Sequence, residues 1–271
     1  MELPMNTTLY VQRLGYTGAL APNAFTLGDL HQAHVLAVPF EALDVHLGIP
    51  ITLALDALYR KIVAGRRGGF CYELNALFCH FLQRIGYRAT TIAARICTPS
   101  GLGPAYDHMA VCVQLDTHWL LDVGFGDLFR RPLEIIPEVI QFDGFQYFRI
   151  QQLAPETFRL WMSPDATTFE EKYEFHTAAV PLDRFHVQCA LKQTSASSYF
   201  VRNVVCTKPT LQGRKTLFNH TLTVREGEQK RVVVLTSPSE LVHALAHEFE
   251  VDIAPYQGQF SAKIRYLSIE E

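Results

Sequence analysis

The spacing of hydrophobic residues changes character at Gly86 in this 271-residue chain. Before Gly86, apolar side chains recur every three or four residues, which is the period of an amphipathic helix. After it, short β-branched and aromatic runs are separated by Gly, Pro, Asn and Asp, a pattern typical of antiparallel strands. From about residue 200, strand and helix patterns occur together. The sequence therefore predicts an α+β protein with three packed regions, at 1–86, 87–199 and 200–271.

Three helices are predicted in the first region. Thr26 followed by Asp29 resembles a capping box that starts the first of them. The apolar stripe over 55–63 ends at Gly65, and a third stripe runs over 74–85. A glycine directly after each of the last two stripes is a common helix stop.

Short strands are predicted after these helices. The candidates cover 87–97, 108–114, 117–123 and 145–152. A further apolar run over 201–206 opens the last region and is also predicted to be extended. These runs favour an antiparallel sheet or a barrel.

The last region combines a hairpin and a helix. The strands of the hairpin lie at 222–224 and 232–235, with Gly227 in the turn. Ser237 is followed by proline and then, at the third helical position, by Glu240. This order predicts the start of a final helix.

Charge and hydropathy exclude several classes of protein. Lys and Arg number 24 and Asp and Glu 27, which gives a net charge of −3 without any basic block. We therefore expect no nucleic-acid partner. No apolar run approaches the roughly 20 residues of a membrane helix, and the N-terminus lacks a leader pattern. The expected location is the cytoplasm, with no membrane partner.

The six cysteines are spaced without any C-x-x-C pair. A chain of this length does not need disulfides for stability, so all six are predicted to be reduced. Only His243 and His247 have the helical spacing of metal ligands, and no metalloprotease glutamate accompanies them. We therefore expect no metal.

Cys71 follows Gly68-Gly69-Phe70, where a loop enters the third predicted helix. Its sulfur would face unpaired backbone N–H groups and the positive end of the helix dipole, which favours the nucleophilic thiolate. The two glycines would let the backbone approach a substrate closely. The alternative is a small buried apolar residue, the usual state of a free cysteine.

A thiol nucleophile needs a base and a group that orients the base. Fourteen positions separate His108 from Asp122, so both lie on one face of a hairpin if its loop has odd length. A loop centred on Leu115 pairs His108 with Asp122, Ala110 with Leu120, and Cys112 with His118. A two-residue turn would put the imidazole and the carboxylate on opposite faces, and both residues could be merely structural.

Three segments in this order resemble the arylamine N-acetyltransferase family, in its bacterial type. They are Val38-Pro39-Phe40-Glu41-Ala42-Leu43-Asp44, Arg67-Gly68-Gly69-Phe70-Cys71-Tyr72-Glu73-Leu74-Asn75 and Asp122-Val123-Gly124-Phe125-Gly126. The resemblance is clearest over 25–126. It implies an N-terminal helical bundle, a central antiparallel β-barrel, a C-terminal α/β lid and a papain-like triad of Cys71 as nucleophile, His108 as base and Asp122 as orienting carboxylate.

The resemblance also implies the reaction. Acetyl-CoA would acetylate Cys71, which would pass the acetyl group to an aromatic amine, hydrazine or N-hydroxyarylamine in a ping-pong sequence. Motif matches place Phe40, Phe125 and Phe200 around the arylamine. Gly124, Phe125 and Gly126 would contact CoA, although the two glycines could equally serve only to turn the chain.

Two details near the nucleophile depart from that pattern or extend it. The chain has Ala42 where the family commonly has Asn, so a side-chain contact there must be replaced. Arg67 could anchor a phosphate, but its position beside a helix start favours a structural pair with Glu41. Arg66 is predicted to be solvated.

The triad alone leaves other functions open. A papain-like or transglutaminase-like amidase or amide synthase would use the same three residues with another acceptor. A binding module without activity is disfavoured because no triad position is substituted.

Overall fold

The computed structural model describes residues 5–256. The helices are α1 (Thr7–Leu14), α2 (Ala24–Ala37), α3 (Leu43–Leu47), α4 (Leu55–Tyr59), α5 (Cys71–Arg84), α6 (His186–Thr194), α7 (Tyr199–Arg202) and α8 (Pro238–Phe249). A π-helical turn, Arg60–Ala64, extends α4, and 3₁₀ turns cover Leu182–Phe185 and Ala254–Tyr256. The three helices predicted before Gly86 are confirmed, as is α8 with Ser237 as its N-cap.

The start of α2 differs from the prediction. Thr26 is not the N-cap, because the helix begins two residues earlier, at Ala24. Asn23 is the cap, and its side-chain oxygen accepts the backbone N–H of Thr26 over 2.9 Å. Asparagine is a stronger N-cap than threonine, so Asn23 takes the role that the pattern had given to Thr26.

The strands form two antiparallel sheets. They are β1 (Phe40–Glu41), β2 (Arg88–Thr98), β3 (Gly101–Leu102), β4 (His108–Gln114), β5 (His118–Leu121), β6 (Leu133–Glu134), β7 (Ile140–Phe142), β8 (Tyr147–Ala154), β9 (Thr157–Ser163), β10 (Glu170–His176), β11 (Val205–Pro209), β12 (Gly213–Phe218), β13 (Thr221–Glu226) and β14 (Gln229–Val234). The larger sheet has the order β6-β5-β4-β2-β10-β9-β8-β7, with β3 paired to β2. All four candidate strands of the middle region are present.

The larger sheet curls into a nearly closed barrel. Its two end strands, β6 and β7, meet through a side chain, because Gln141 accepts the N–H of Glu134 over 2.9 Å and donates to its carbonyl over 2.8 Å. Between β6 and β7, the side-chain amide of Gln141 thus makes the two hydrogen bonds that the backbone of a paired strand would make.

The smaller sheet joins β1, from the N-terminal region, to four strands of the C-terminal region, in the order β1-β11-β12-β13-β14. β1 pairs with β11, with Phe40 opposite Thr207. The predicted strand over 201–206 is only partly correct, since Val201 lies in α7 and β11 starts at Val205. Ser198 caps α7 by accepting the N–H of Phe200 over 3.3 Å. The chain is therefore helical at the start of the predicted strand. The boundaries of the three predicted regions stay a prediction.

The hairpin of β4 and β5 has a different register from the predicted one. Its turn is centred on Asp116, not Leu115, so Leu120 lies opposite Cys112 rather than Ala110, and His118 lies opposite Gln114. The three-residue loop is held by a hydrogen bond of 2.9 Å from the N–H of Leu115 to the carbonyl of Thr117. Asp122 lies beyond the end of β5 and is not directly opposite His108. A shift of two residues still leaves both side chains on the same face.

No helix within residues 5–256 is long and apolar enough to cross a membrane.

Candidate active site

Cys71 is the first residue of α5 and is 4% exposed. The two glycines before it pack against other residues of the chain, and the close approach of their backbone to a substrate stays a prediction. A Cβ on Gly68 would lie 2.1 Å from the carbonyl oxygen of Pro39, and one on Gly69 would lie 2.9 Å from Cβ of Glu73. The pair is therefore required because the loop packs against the protein itself.

Strand β1 and Glu73 hold this loop. The N–H of Glu41 donates to the carbonyl of Gly69 over 2.9 Å. Phe70 has no side-chain acceptor to cap α5, and Glu73 instead accepts the N–H of Phe70 over 3.1 Å. Hydrogen bonds from β1 and from Glu73 thereby hold the loop directly before Cys71, where α5 starts.

A buried cluster of five charges lies beside the same loop. Arg67 bonds Glu41 and Asp44 at 2.8 Å, and Lys61 bonds Asp44 at 2.8 Å and Glu73 at 2.7 Å. The predicted pair of Arg67 and Glu41 is confirmed. Two cations thus face three carboxylates. Burial, together with the charges of Glu41 and Asp44, raises the pKa of Glu73 to about 7. The positive charge of Lys61 opposes this shift.

Ala42 is the N-cap residue of α3 and makes no side-chain capping hydrogen bond. Glu41 accepts the N–H of Leu43 over 2.7 Å, at the start of α3. Arg66 is exposed, as expected, and its nearest carboxylate is that of Glu250, at 3.6 Å.

The imidazole of His108 and the carboxylate of Asp122 form a short pair. His108 Nε2 lies 2.6 Å from Asp122 Oδ2, and both side chains are buried. Burial alone would lower the pKa of His108, but the charge and hydrogen bond of Asp122, together with a hydrogen bond to the side chain of Cys71, raise it to about 10. Since Asp122 occupies Nε2, the ring nitrogen that faces the sulfur is Nδ1. The structure thus brings together all three predicted members of the triad.

Asn75 lies one helical turn after Cys71 and fixes the carboxylate. Its Nδ2 donates to Asp122 Oδ1 over 2.9 Å and to the carbonyl of Met109 over 2.6 Å. Its Oδ1 accepts the N–H of Val123 over 3.0 Å. Residues four apart share one face of a helix, so the spacing from Cys71 was a signal for Asn75 that sequence reasoning missed.

His31 supports Asp122 from α2. Its Nε2 accepts the N–H of Asp122 over 3.2 Å, and its Nδ1 donates to the carbonyl of Arg130 over 3.0 Å. This pattern requires a neutral ring, and burial lowers the pKa of His31 to about 4. Nothing local in the sequence indicates this role.

Tyr173, on β10, packs against the triad. Its ring centroid lies 5.3 Å from that of His108 and 5.7 Å from that of Phe125. Burial and the charge of Asp122 raise the pKa of the hydroxyl far above its usual value, so the phenol stays neutral. Its place in the site depends on the barrel, and sequence reasoning did not find it.

A family model described as N-acetyltransferase matches residues 24–257. The chain belongs to the arylamine N-acetyltransferase family.

Individual relatives of the family match most of the chain. A pineal gland isozyme of arylamine N-acetyltransferase from Gallus gallus is 31% identical over 240 residues, covering 81% of this chain and 83% of the relative. The arylamine N-acetyltransferase of Mycobacterium tuberculosis is 29% identical over 260 residues, covering 93% and 91%. The solved Mycobacterium marinum enzyme in complex with CoA has a TM-score of 0.89 at 28% identity, covering 97% and 100%.

In this arylamine N-acetyltransferase, Gly124 packs tightly against the nucleophile. A Cβ there would lie 2.8 Å from Cα of Cys71 and 2.8 Å from Nδ2 of Asn75. Gly126 has a φ of +95°, which only glycine adopts readily. Contact of Gly124 and Gly126 with CoA therefore stays a prediction. The fold itself already requires glycine at both positions.

The three predicted aromatic residues fall into two groups by their ring contacts. The Phe125 ring meets the His108 ring edge-on, with centroids 5.4 Å apart. Phe200 lies 5.9 Å from Phe40 and 5.8 Å from Phe70, between ring centroids. Phe40 is buried while Phe125 and Phe200 are half-buried, so the last two have surface left for a ligand.

The two helical histidines do not form part of a larger ligand group. The rings of His243 and His247 lie 4.0 Å apart. Among residues 5–256, no three His, Cys, Asp or Glu side chains lie close enough to hold a metal ion.

Proposed function

We propose that this chain transfers an acetyl group from acetyl-CoA to an aromatic amine, a hydrazine or an N-hydroxyarylamine through a thioester on Cys71. The observation that carries the proposal is the buried pair of His108 and Asp122, 2.6 Å apart, with the other imidazole nitrogen facing Cys71 at the start of α5. Family membership and a CoA-bound relative of the same fold support CoA as the donor.

In the first half-reaction, the Cys71 thiolate attacks the acetyl carbonyl and the thiolate of CoA leaves. One thioester forms as another breaks, so the exchange is close to balanced in free energy. His108, protonated beside Asp122, stabilises the attacking thiolate and donates its proton to the leaving sulfur. The N–H of Cys71 has no partner within its helix and donates to the oxyanion.

In the second half-reaction, the nitrogen of the amine attacks the thioester on Cys71. His108 accepts the proton that the amine loses, and the Cys71 thiolate is released. Asp122 holds the ring orientation and stabilises the imidazolium in both steps. Phe125 and Phe200 contact the arylamine ring, Phe40 supports Phe200, and the segment Gly124-Phe125-Gly126 contacts CoA.

The test is intact-mass measurement after mixing the protein with acetyl-CoA alone. We expect one acetyl group on Cys71, located by peptide mapping, and its stoichiometric transfer when an arylamine is added. Cys71→Ser should give no adduct, because a serine hydroxyl has a far higher pKa than a thiol. Cys97→Ser is the control, since Cys97 is the one cysteine that is not buried and it should not carry the acetyl group.

Two outcomes would overturn the proposal. One is an acetyl group located elsewhere than Cys71. The other is release of CoA with free acetate and no adduct, which would assign the site to a hydrolase.

A further inference from the structure

The hydroxyl of Tyr72 joins the two segments that carry the nucleophile and the base. It donates to the carbonyls of Tyr106 and Asp107, at 2.8 Å and 2.9 Å. Tyr72 follows Cys71 directly, and Asp107 precedes His108 directly. One side chain therefore links the first turn of α5 to the two residues that directly precede β4.

We propose that Tyr72 is a positioning residue that sets the separation between the Cys71 sulfur and the His108 imidazole. The inference rests on the proposed roles of these two residues and deepens them. Tyr72 would act through the backbone of Tyr106 and Asp107, to which its hydroxyl is bonded.

The loop before His108 needs to be held. Tyr106 has a φ of +62°, a left-handed conformation that is unfavourable for a non-glycine residue. Such a residue keeps this conformation only where its surroundings impose it. The position of His108 thus depends on contacts made by the two residues before it.

Two of those contacts come from the segment at 182–194. Arg184 donates to the hydroxyl of Tyr106 over 2.9 Å, and Lys192 bonds Asp107 over 2.7 Å. Both cations belong to the segment at 182–194, which does not carry the nucleophile. They fix the loop relative to α6, whereas Tyr72 fixes it relative to α5.

The geometry of Tyr72 suits a permanent link. Its side chain is fully buried, and its ring packs edge-on against Phe70 with centroids 5.3 Å apart and lies 5.9 Å from the Phe185 ring. Burial raises the pKa of the hydroxyl well above its usual value, so the group is a neutral donor at neutral pH. The link therefore does not titrate with the triad.

The experiment compares Tyr72→Phe with Tyr87→Phe. The Tyr87 hydroxyl also donates to two backbone carbonyls, those of Ala21 and Asn23, at 3.2 Å and 2.9 Å, and Tyr87 is buried. Both variants lose the same hydroxyl and the same number of bonds, and neither loses an aromatic ring. Of the two tyrosines, only Tyr72 contacts the segment before His108, so Tyr87→Phe measures the purely structural cost of losing a buried hydroxyl.

The readout is the pH dependence of Cys71 alkylation by iodoacetamide, in a Cys97→Ser background. In the parent, the imidazolium should keep alkylation fast at about pH 6, where an isolated thiol is almost unreactive. We expect Tyr72→Phe to slow alkylation at about pH 6 by at least tenfold, with little change near pH 10. The kcat of acetyl transfer should fall by a similar factor with a smaller change in KM, and Tyr87→Phe should match the parent throughout.

Coincident pH profiles for the two variants would overturn the positioning role while leaving the proposed function intact. A parent enzyme without fast alkylation at low pH would instead remove the thiolate–imidazolium pair, and the proposed function with it. Replacement of Tyr72 by 4-aminophenylalanine keeps a donor at the same place and tests the idea even if Tyr72→Phe does not fold. Its profile should match the parent, and a loss of low-pH alkylation in this folded variant would contradict the proposal.

Discussion

Asn75 donates from Nδ2 to Oδ1 of Asp122 over 2.9 Å, so the helix that carries the nucleophile also fixes the carboxylate that orients the base. The N–H of Gly124 donates to the same oxygen over 3.0 Å. The second carboxylate oxygen is thereby left for His108. The two ends of the triad are held as one unit, and the consequences can be tested.

Asp122→Asn should abolish most of the activity while the fold is kept. Asn75 and Gly124 both donate to Oδ1, so the new amide must place its oxygen there and its NH₂ toward His108. Nε2 then has to accept, which moves the ring proton to Nδ1, where it faces the sulfur and blocks proton transfer from the thiol. We expect a loss of about 10⁴ in the single-turnover acetylation rate. A folded variant with parental rate would remove Asp122 from the mechanism.

Lys61→Met should destabilise the protein strongly. Lys61 is the partner of two buried carboxylates, those of Asp44 and Glu73, and loss of one member of a buried pair typically costs about 3–5 kcal/mol. Urea unfolding at neutral pH measures the change. Adding Glu73→Gln should recover part of it, because it removes the charge left unpaired.

The neighbouring residue provides the control for this change. Arg60 pairs with Asp56 at 2.8 Å, but its side chain is 59% exposed. An exposed pair contributes at most about 1 kcal/mol, so Arg60→Met should be nearly neutral. Equal losses in Lys61→Met and Arg60→Met would mean that burial of the cluster does not matter.

Gly124→Ala should slow acetylation without unfolding the chain. The added Cβ would lie 2.8 Å from Cα of Cys71, so the backbone of the nucleophile has to shift. A displacement of about 1 Å can reduce the rate roughly 10²-fold. Gly28→Ala is the control, because a Cβ there meets only the flexible end of Arg131. The two variants should differ in acetylation rate, and equal rates would contradict the packing argument.

The contribution of His31 to the stability of the protein should decrease as the pH falls from about 6.5 to about 4, whereas Glu73, whose pKa is raised to about 7, contributes in the opposite direction. His31 has a pKa of about 4 in the folded protein, against about 6.5 when unfolded, because burial disfavours its charged form. Over this range the unfolded chain binds a proton that the folded chain does not, so acid favours unfolding. His31 alone accounts for about 3 kcal/mol, and buried His34, whose pKa is also lowered, adds to it.

Urea unfolding at several pH values, on the parent and on His31→Gln, checks this expectation. Glutamine can accept from Asp122 and donate to Arg130 without titrating, so this variant should lose less stability in acid. His186→Gln, at an exposed histidine, should retain the full parental dependence. Identical curves for His31→Gln and the parent would show that His31 is not the group that titrates.

Three of the helices before Gly86 and the position of Cys71 could be predicted because each depends on residues a few positions away, whereas α1 and α3 were not predicted. Helical periodicity, the glycine stop at Gly65 and the start of α5 are local properties. The even separation of His108 and Asp122 placed both on one face for a loop of odd length, and the three-residue loop of the structure meets that condition. These signals, with the family resemblance, identified the triad.

Tertiary structure alone decided how the triad is held. The contact of His31 with Asp122 spans 91 residues, and the pair of Lys192 and Asp107 spans 85. No periodicity encodes such contacts, because they depend on how α2, α6 and the barrel pack around α5. The register of the β4–β5 hairpin was also decided by the tertiary structure. Registers that differ by two residues bury the same faces, so packing and loop hydrogen bonds select between them.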